Sequence, residues 1–164
     1  MKVIANLVIG SDGSTTSNNS SAGLSSKLDR ERFHQLRKGA GAILIGGNSA
    51  RNEPYSSTPV PLFVISKSNK ILEISSNEKA RILNESPKDA INTIRKLGFT
   101  TLLFEGGPNL LLELINEIDE LYVTISKKTG DGQVISFDGI TRDFVMENKE
   151  EIEGEIFYTF KKMT

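Results

Sequence analysis

The sequence predicts an α/β domain in which a mostly parallel central sheet is flanked by helices and finished by an antiparallel C-terminal hairpin. Three observations predict it. Short β-branched and apolar runs alternate with helical segments as far as residue 125, the order that builds parallel strands with helical crossovers. Three of those runs end in glycine or small polar residues, at 46–49, 66–68 and 105–108. The last two apolar runs, residues 144–146 and 156–160, are separated by an acidic turn through Glu153 and Gly154, the layout of a hairpin.

The elements follow in order. Residues 3–9 read as a first strand, after which residues 10–26 are Gly, Ser, Thr, Asn or Asp apart from Ala22 and Leu24. A polar segment of this length inside a domain is either a substrate loop or a floppy insertion. A helix is predicted over 29–38, with Phe33 and Leu36 as its apolar contacts, and residues 42–45 form a second buried strand closed by the small-residue turn Gly46, Gly47, Asn48, Ser49. Pro54, Pro59 and Pro61 mark an irregular connection to a third strand at 62–65, which ends in Ser66, Lys67 and Ser68. Residues 71–74 are expected to form another short strand. Ser86 as cap and Pro87 in the first helical position predict a helix running to Leu97, with Gly98 as its stop. Residues 100–104 then read as a buried strand, Pro108 as a helix start, and 121–125 as the next strand.

Composition narrows the chemistry. The chain has 164 residues, 37% hydrophobic and 25% charged, which suits one domain with a core of its own, and we expect a single domain over residues 1–164. Its 20 basic and 21 acidic residues are spread along the chain, giving a net charge of -1, so neither a nucleic-acid surface nor a polybasic membrane patch is expected. No apolar run reaches the ~20 residues needed to span a bilayer, and the start of the chain leads straight into a strand, so a cytoplasmic location is expected. With no Cys, thiol nucleophiles, disulfides and thiolate metal sites are excluded, and with His34 as the one histidine no His-rich metal cluster is expected. His34 itself is read as a surface residue of its helix.

The most informative stretch is Glu105, Gly106, Gly107, Pro108, because it joins a strand end, a glycine pair and a helix start. Without Cβ atoms the backbone there can approach a ligand, and the free N–H groups of the new helix can point at an anion. The same residues are also compatible with a plain tight turn, since the fingerprint G-x-G-x-x-G is absent. If the three strand ends are neighbours in a parallel sheet, their turns gather into a groove long enough for a dinucleotide. Lys67 between Ser66 and Ser68 would then suit an extra phosphate and favour NADP over NAD, or else be a solvated turn.

Several motifs in order resemble one family. Asn6 followed by Asp12-Gly13, Ser21-x-Gly23-Leu24-Ser25, Asp29-Arg30-x-x-Phe33-x-x-Leu36-Arg37, Ile45-Gly46-x-x-Ser49-x-Arg51-x-Glu53, Glu105-Gly106-Gly107-Pro108 and Asp119-Glu120-Leu121 resemble the pyrimidine reductase domain of riboflavin biosynthesis. The resemblance spans nearly the whole chain and implies a dihydrofolate-reductase-like fold, a homodimer, and no deaminase domain, whose zinc site would need cysteines. It implies NADPH-dependent reduction of the ribosyl group of 5-amino-6-(5-phosphoribosylamino)uracil, a small phosphorylated pyrimidine, to the ribityl product.

By the same resemblance, Val8 faces the nicotinamide, Ser49 and Glu53 contact the cofactor from the second turn, and Ser66 lies near the adenosine end. Gly107, Pro108, Asn109, Leu110, Leu111 and Leu112 match the pyrophosphate-binding helix start. On the substrate side, Ser21 and Arg37 match phosphate-binding positions, Asn6 a substrate-binding position and Glu105 the acidic residue beside the ribose. Asn6 stands where many bacterial relatives carry Lys, and Ser14 replaces a basic residue. Glu105 is expected either to relay a proton or to accept from sugar hydroxyls. Asp12 is read first as making an Asx turn with Gly13 and only second as a catalytic candidate. Two other readings stay open: a reductase of the same fold acting on a pterin or other small heterocycle, and a non-catalytic nucleotide-binding or interaction domain.

Overall fold

Strand alternation divides the core of this chain into two layers, one on each face of a central sheet. In the computed structural model, which describes residues Met1–Thr164, eight strands form that sheet in the order β4-β3-β2-β5-β1-β6-β8-β7. The strands are β1 (Lys2–Ile9), β2 (Ala42–Gly46), β3 (Leu62–Ile65), β4 (Ala80–Leu83), β5 (Thr101–Phe104), β6 (Glu120–Ile125), β7 (Phe144–Ile152) and β8 (Glu155–Lys162). The first six are parallel to their neighbours, and β8 and β7 add as antiparallel strands beyond β6. Val3, Ala5, Leu7 and Ile9 of β1, with Leu44 and Leu102, face one layer, where Ile91, Ile94, Leu111 and Leu114 pack from helices. Ile43, Ile45, Leu62, Val64 and Leu103 face the other, where Leu36 and Ile4 join them. A strand buried on both faces has no room for polar alternation, which is why β2 and β5 read as continuous apolar runs.

The helices are α1 (Lys27–Gly39), α2 (Gly47–Asn52), α3 (Pro87–Lys96), α4 (Pro108–Leu114) and α5 (Phe137–Thr141). None is long and apolar enough to cross a membrane. The α3 signals act as the sequence predicts: the Ser86 hydroxyl accepts from the Asp89 N–H at 3.2 Å, Pro87 opens the helix, and Gly98 follows its last turn. Helix α1 begins two residues earlier than predicted, because Ser26 caps it by accepting from the Asp29 N–H at 3.1 Å.

Three expectations are corrected. Residues 71–74 are not a strand: Leu72–Ile74 is a 3-10 turn. Ile71 and Ile74, three apart, both turn into the core while Leu72 stays exposed, a spacing that fits a helical turn and not a pleat. The edge strand instead comes later, as β4. Gly47, Asn48 and Ser49 do not merely close β2; they start α2. The terminal hairpin is longer than predicted, with the turn at Glu153 and Gly154 in the left-handed region (φ 54° and 81°) and a register shift between Met146 and Asn148.

Candidate active site

The sheet itself locates the cleft. β2 and β5 are neighbours, yet the chain leaves β2 toward β3 on one side and leaves β5 toward β6 on the other. At such a switch point the two connections part and leave a crevice beyond the carboxyl ends of the strands. Two connected hollows occupy it. An inner cavity of about 290 Å³ lies under α1, and an outer groove of about 1100 Å³ runs across the ends of β2, β3 and β5. Thr15, Thr16, Ser49, Glu53, Gly107 and Pro108 line both, so the two hollows form one trough.

The inner cavity is organised by one carboxylate. Glu105, just past β5, accepts from Arg37 Nε at 2.9 Å and Arg37 Nη2 at 2.8 Å, and from the Tyr55 hydroxyl at 2.7 Å. The side chains of Glu105 and Arg37 are only 3% and 11% exposed. The Arg37 guanidinium also lies over the Phe33 ring, 4.2 Å from its centroid, and 5.2 Å from that of Tyr55. Burial pulls the Arg37 pKa down, but the hydrogen bond and charge of Glu105 outweigh it and leave the group above its ordinary value. Burial first, and then the Glu105 charge, push the Tyr55 phenol well above 10.0, so Tyr55 is a neutral donor. Two of the Arg37 nitrogens are thus bonded to Glu105, a pairing the resemblance did not imply.

One polar atom in this cavity has no partner. Asn6 Oδ1, on β1, is buried from solvent and makes no hydrogen bond, and it is the sole buried side-chain polar atom in the molecule left that way. Asn6 and Val8 lie on the opposite face of β1 from Leu7 and Ile9, which places both in the cavity wall beneath α1. An orphaned acceptor in a cleft is a place for a ligand donor.

The polar loop after β1 is built, not floppy. Glu53, at the end of α2, accepts from the Ser20 hydroxyl at 2.9 Å and the Ser21 N–H at 2.6 Å, which fastens the loop across the trough. Its carboxylate holds the loop, a role the sequence did not suggest for a predicted cofactor contact. Asp131 takes the Asn18 N–H at 3.0 Å, and Thr15 bonds Gln133 through backbone and side chain, so the loop is tied on its far side as well. Asp12 belongs to this tying. It accepts from the Ser14 N–H at 3.1 Å, the Ser14 hydroxyl at 2.9 Å and the Gly130 N–H at 3.3 Å, and it lines neither hollow. Its catalytic candidacy is corrected to the Asx-turn role, and the Ser14 N–H above all holds its carboxyl below 3.8.

The outer groove is made of strand ends. Gly46 and Gly47 after β2, Ser66, Lys67 and Ser68 after β3, and Gly107, Pro108, Asn109 and Leu110 after β5 all line it, as does Ser49. A Cβ on Gly106 would fall 2.4 Å from the Phe104 ring, so the close packing of that turn requires glycine. Ser66 stays in place by accepting from the Ser68 N–H at 3.0 Å, and Asn109 accepts from Gln133 at 2.7 Å. Leu111 and Leu112 do not line it: Leu111 is 1% exposed and faces the core, and Leu112 is 50% exposed. A helix can turn only part of its circumference to the groove, and Leu110 is the leucine that does so here.

Residues that sequence reasoning missed also stand in the trough. Tyr55, Asp29 and Arg30 line the inner cavity together with His34, and Arg51 lines the groove. Spacing held a signal for part of this: Arg30, Phe33, His34 and Arg37 recur at i, i+3, i+4 and i+7, a single helix face.

The mostly parallel α/β sheet extended by an antiparallel C-terminal hairpin is the architecture predicted from sequence, and the trough lies at its switch point. The chain belongs to the family of the RibD C-terminal domain, whose model matches residues 1–149. No curated protein sequence matches it significantly. Among solved structures, its fold is similar to a diaminohydroxyphosphoribosylaminopyrimidine deaminase/5-amino-6-(5-phosphoribosylamino)uracil reductase from Thermotoga maritima, with a TM-score of 0.81 at 17% identity over 99% of this chain. This chain spans 56% of that protein's length. A pyrimidine reductase-like protein from Corynebacterium diphtheriae aligns with a TM-score of 0.75 at 18% identity, covering 99% of this chain and 92% of that one. RibD of Acinetobacter baumannii aligns at 0.69 and 11% identity, covering 99% and 58% of the two chains.

Proposed function

We propose that this chain is a reductase of riboflavin biosynthesis that uses NADPH to reduce the ribosyl group of 5-amino-6-(5-phosphoribosylamino)uracil to the ribityl product. The observation that supports it best is the continuous trough at the switch point: a small polar cavity with an orphaned acceptor opens directly into a groove of dinucleotide size. When bound, NADPH supplies a hydride to the sugar carbon of a Schiff-base-like form of the substrate.

The residues present fit such a group. Gly107 lines the groove with open space where a Cβ would stand, so a ligand can come close to the backbone there, while Gly46 and Gly106 pack against Leu110. The anionic end of the cofactor is assigned to the β3 end, where Ser66 and Lys67 lie beside Arg51. The Lys67 and Arg51 cations have no carboxylate partner. Val8 gives the inner cavity an apolar wall against which a ring can lie.

On the substrate side, Asn6 Oδ1 takes a hydrogen bond from a sugar hydroxyl or an amino N–H, which removes the cost of burying it alone. Three donors already converge on the Glu105 carboxylate, the setting of an acceptor held in place, so Glu105 is assigned to orienting a sugar hydroxyl and not to relaying a proton. Residues 1–164 act as one reductase unit in this reading. The unpaired edge of β7, with Val145 and Met146 more than half exposed, is where a second copy would add to form a homodimer.

The test is the loss of NADPH absorbance when the purified protein meets the deaminated ribosylaminouracil phosphate, run beside NADH and a dihydropterin. Turnover confined to the ribosyl phosphate with NADPH is the expected result. Turnover of the pterin alone would replace the substrate assignment, and NADPH binding without any turnover would leave a nucleotide-binding domain.

A further inference from the structure

Helix α1 shields two arginines on opposite faces, and only one of them has a counter-charge. Arg37, on the face toward the inner cavity, is forked onto Glu105. Arg32 lies on the far face, one turn after Leu28, and its guanidinium rests on β6 and β8. Nη1 donates to the Val123 carbonyl and the Thr124 hydroxyl, both at 3.4 Å, and Nη2 donates to the Thr159 hydroxyl at 3.3 Å and to the Tyr158 carbonyl. All four acceptors are neutral, Nε makes no hydrogen bond, and no carboxylate stands at ion-pair distance. Such bonds satisfy the protons without cancelling the charge, so the cost of taking it out of water is offset only in part. Burial accordingly holds this guanidinium below its ordinary pKa, against the charges of Asp29, Tyr122 and Glu150.

Arg32 borders a third hollow, of about 340 Å³, between α1 and the C-terminal hairpin, and this hollow shares no residue with either half of the trough. Small-molecule clefts run from about 300 Å³ upward and set a few polar groups in apolar walls. Here Phe157, 8% exposed and with its ring centroid 5.5 Å from the Arg32 guanidinium, gives an aromatic wall, and Leu28 and Ile152 give aliphatic ones. Asn148 and Thr159, paired across β7 and β8, add polar groups. Glu150, opposite Phe157 in the same register, also borders the hollow, but its carboxylate accepts from the Asn148 amide at 2.7 Å and the residue is exposed, so water screens it from Arg32. The unpaired cation selects an anion, and the aromatic and aliphatic walls select a flat apolar body to carry it. A carboxylate is the group that meets a guanidinium in its own plane, adds the counter-charge and accepts from Nε.

We propose that the hollow between α1 and the C-terminal hairpin is a second binding site, separate from the trough, for a small flat organic carboxylate paired with Arg32 and laid against Phe157. It stands on this geometry alone and does not rest on the reductase reading.

The probe is 2-naphthoate, with uncharged 2-naphthamide as its control, each titrated into the full chain and followed by backbone amide shifts. Naphthoate should bind saturably, with its shifts gathered on residues 28–32 and 148–159, and naphthamide should bind at least about ten-fold more weakly for want of the charge-assisted contact. Arg32→Gln would remove the cation but also its ties to β6 and β8, so two substitutions at exposed positions carry the test. Ile152→Glu sets a second carboxylate at the hollow and should weaken naphthoate by about ten-fold or more, while Glu150→Gln takes a repelling charge away and should tighten it by about three-fold. The opposite signs of these two effects are what a merely structural Arg32 would not produce. No saturable binding, equal affinity for naphthoate and naphthamide, shifts centred on the trough, or an affinity that neither substitution moves would each overturn the proposal.

Discussion

The two halves of the trough are built on different principles. The outer groove is a row of backbone turns, each contributed by a few consecutive residues at a strand end: Gly46 and Gly47, Ser66 to Ser68, Gly107 to Leu110. The inner cavity is a set of long-range side-chain pairs, in which Arg37 reaches Glu105 across 68 residues of sequence and Tyr55 reaches it across 50. The first kind of site can lose a side chain and keep its shape. The second holds its shape through ionised and hydrogen-bonded partners, so binding and folding depend on the same atoms there.

The largest effect that would test this contrast is at Glu105. Glu105→Ala leaves the Arg37 guanidinium buried without a counter-charge, and removing one partner of a buried pair costs about 3 kcal/mol or more. Urea denaturation should show that loss, while NADPH affinity of the folded fraction changes by less than about three-fold, because the groove turns do not lean on Glu105. A variant as stable as the wild type would mean that the inner network does not hold the cavity.

Tyr55→Phe comes next. It keeps the ring against Arg37 and removes a 2.7 Å bond to a carboxylate, which should destabilise by about 1.5 kcal/mol. The wild-type phenol also gives a pH signature. Its folded pKa lies well above 10.0, so the stability it confers is complete below pH 10 and is lost as the pH rises from there toward the folded value. Stability measured through that alkaline range should fall more steeply in the wild type than in Tyr55→Phe.

What could be read from sequence follows the same division. The strand-end turns were legible because glycine, serine and proline announce local geometry at their own positions, and the α3 boundaries were legible from Ser86, Pro87 and Gly98 for the same reason. The parallel order followed from short apolar runs that alternate with helical segments. The inner cavity was legible only in pieces: Arg37 and Glu105 were both singled out, but nothing local says that they bond each other. Tyr55 lies in a proline-rich connection with no periodicity to mark it. Ile71 and Ile74 misled because two isoleucines three apart serve a short strand or a 3-10 turn equally well until their neighbours are known.

A smaller effect would sharpen the contrast from the groove side. Lys67→Ala should leave stability unchanged, as the Lys67 side chain makes no ion pair, and should weaken NADPH by about ten-fold while NADH binding stays the same. Equal losses for both cofactors, read by fluorescence titration, would move the extra phosphate to another part of the groove.

The smallest expected effect lies where the halves meet. Glu53 lines both hollows and fastens the loop through Ser20 and Ser21, so it couples a groove element, α2, to a wall of the inner cavity. Glu53→Ala frees two donors near the surface, where water replaces the carboxylate, and the global cost should be about 1 kcal/mol or less. Its local consequence should be clearer than its global one. The Ser21 amide, held at 2.6 Å in the wild type, should exchange with solvent much faster, and a protease should cut the loop sooner, while amides of β2 and β5 keep their protection. If the Ser21 amide stayed protected, the ties to Asp131 and Gln133 on the far side would be holding the loop by themselves, and the two halves would be joined by backbone rather than by Glu53.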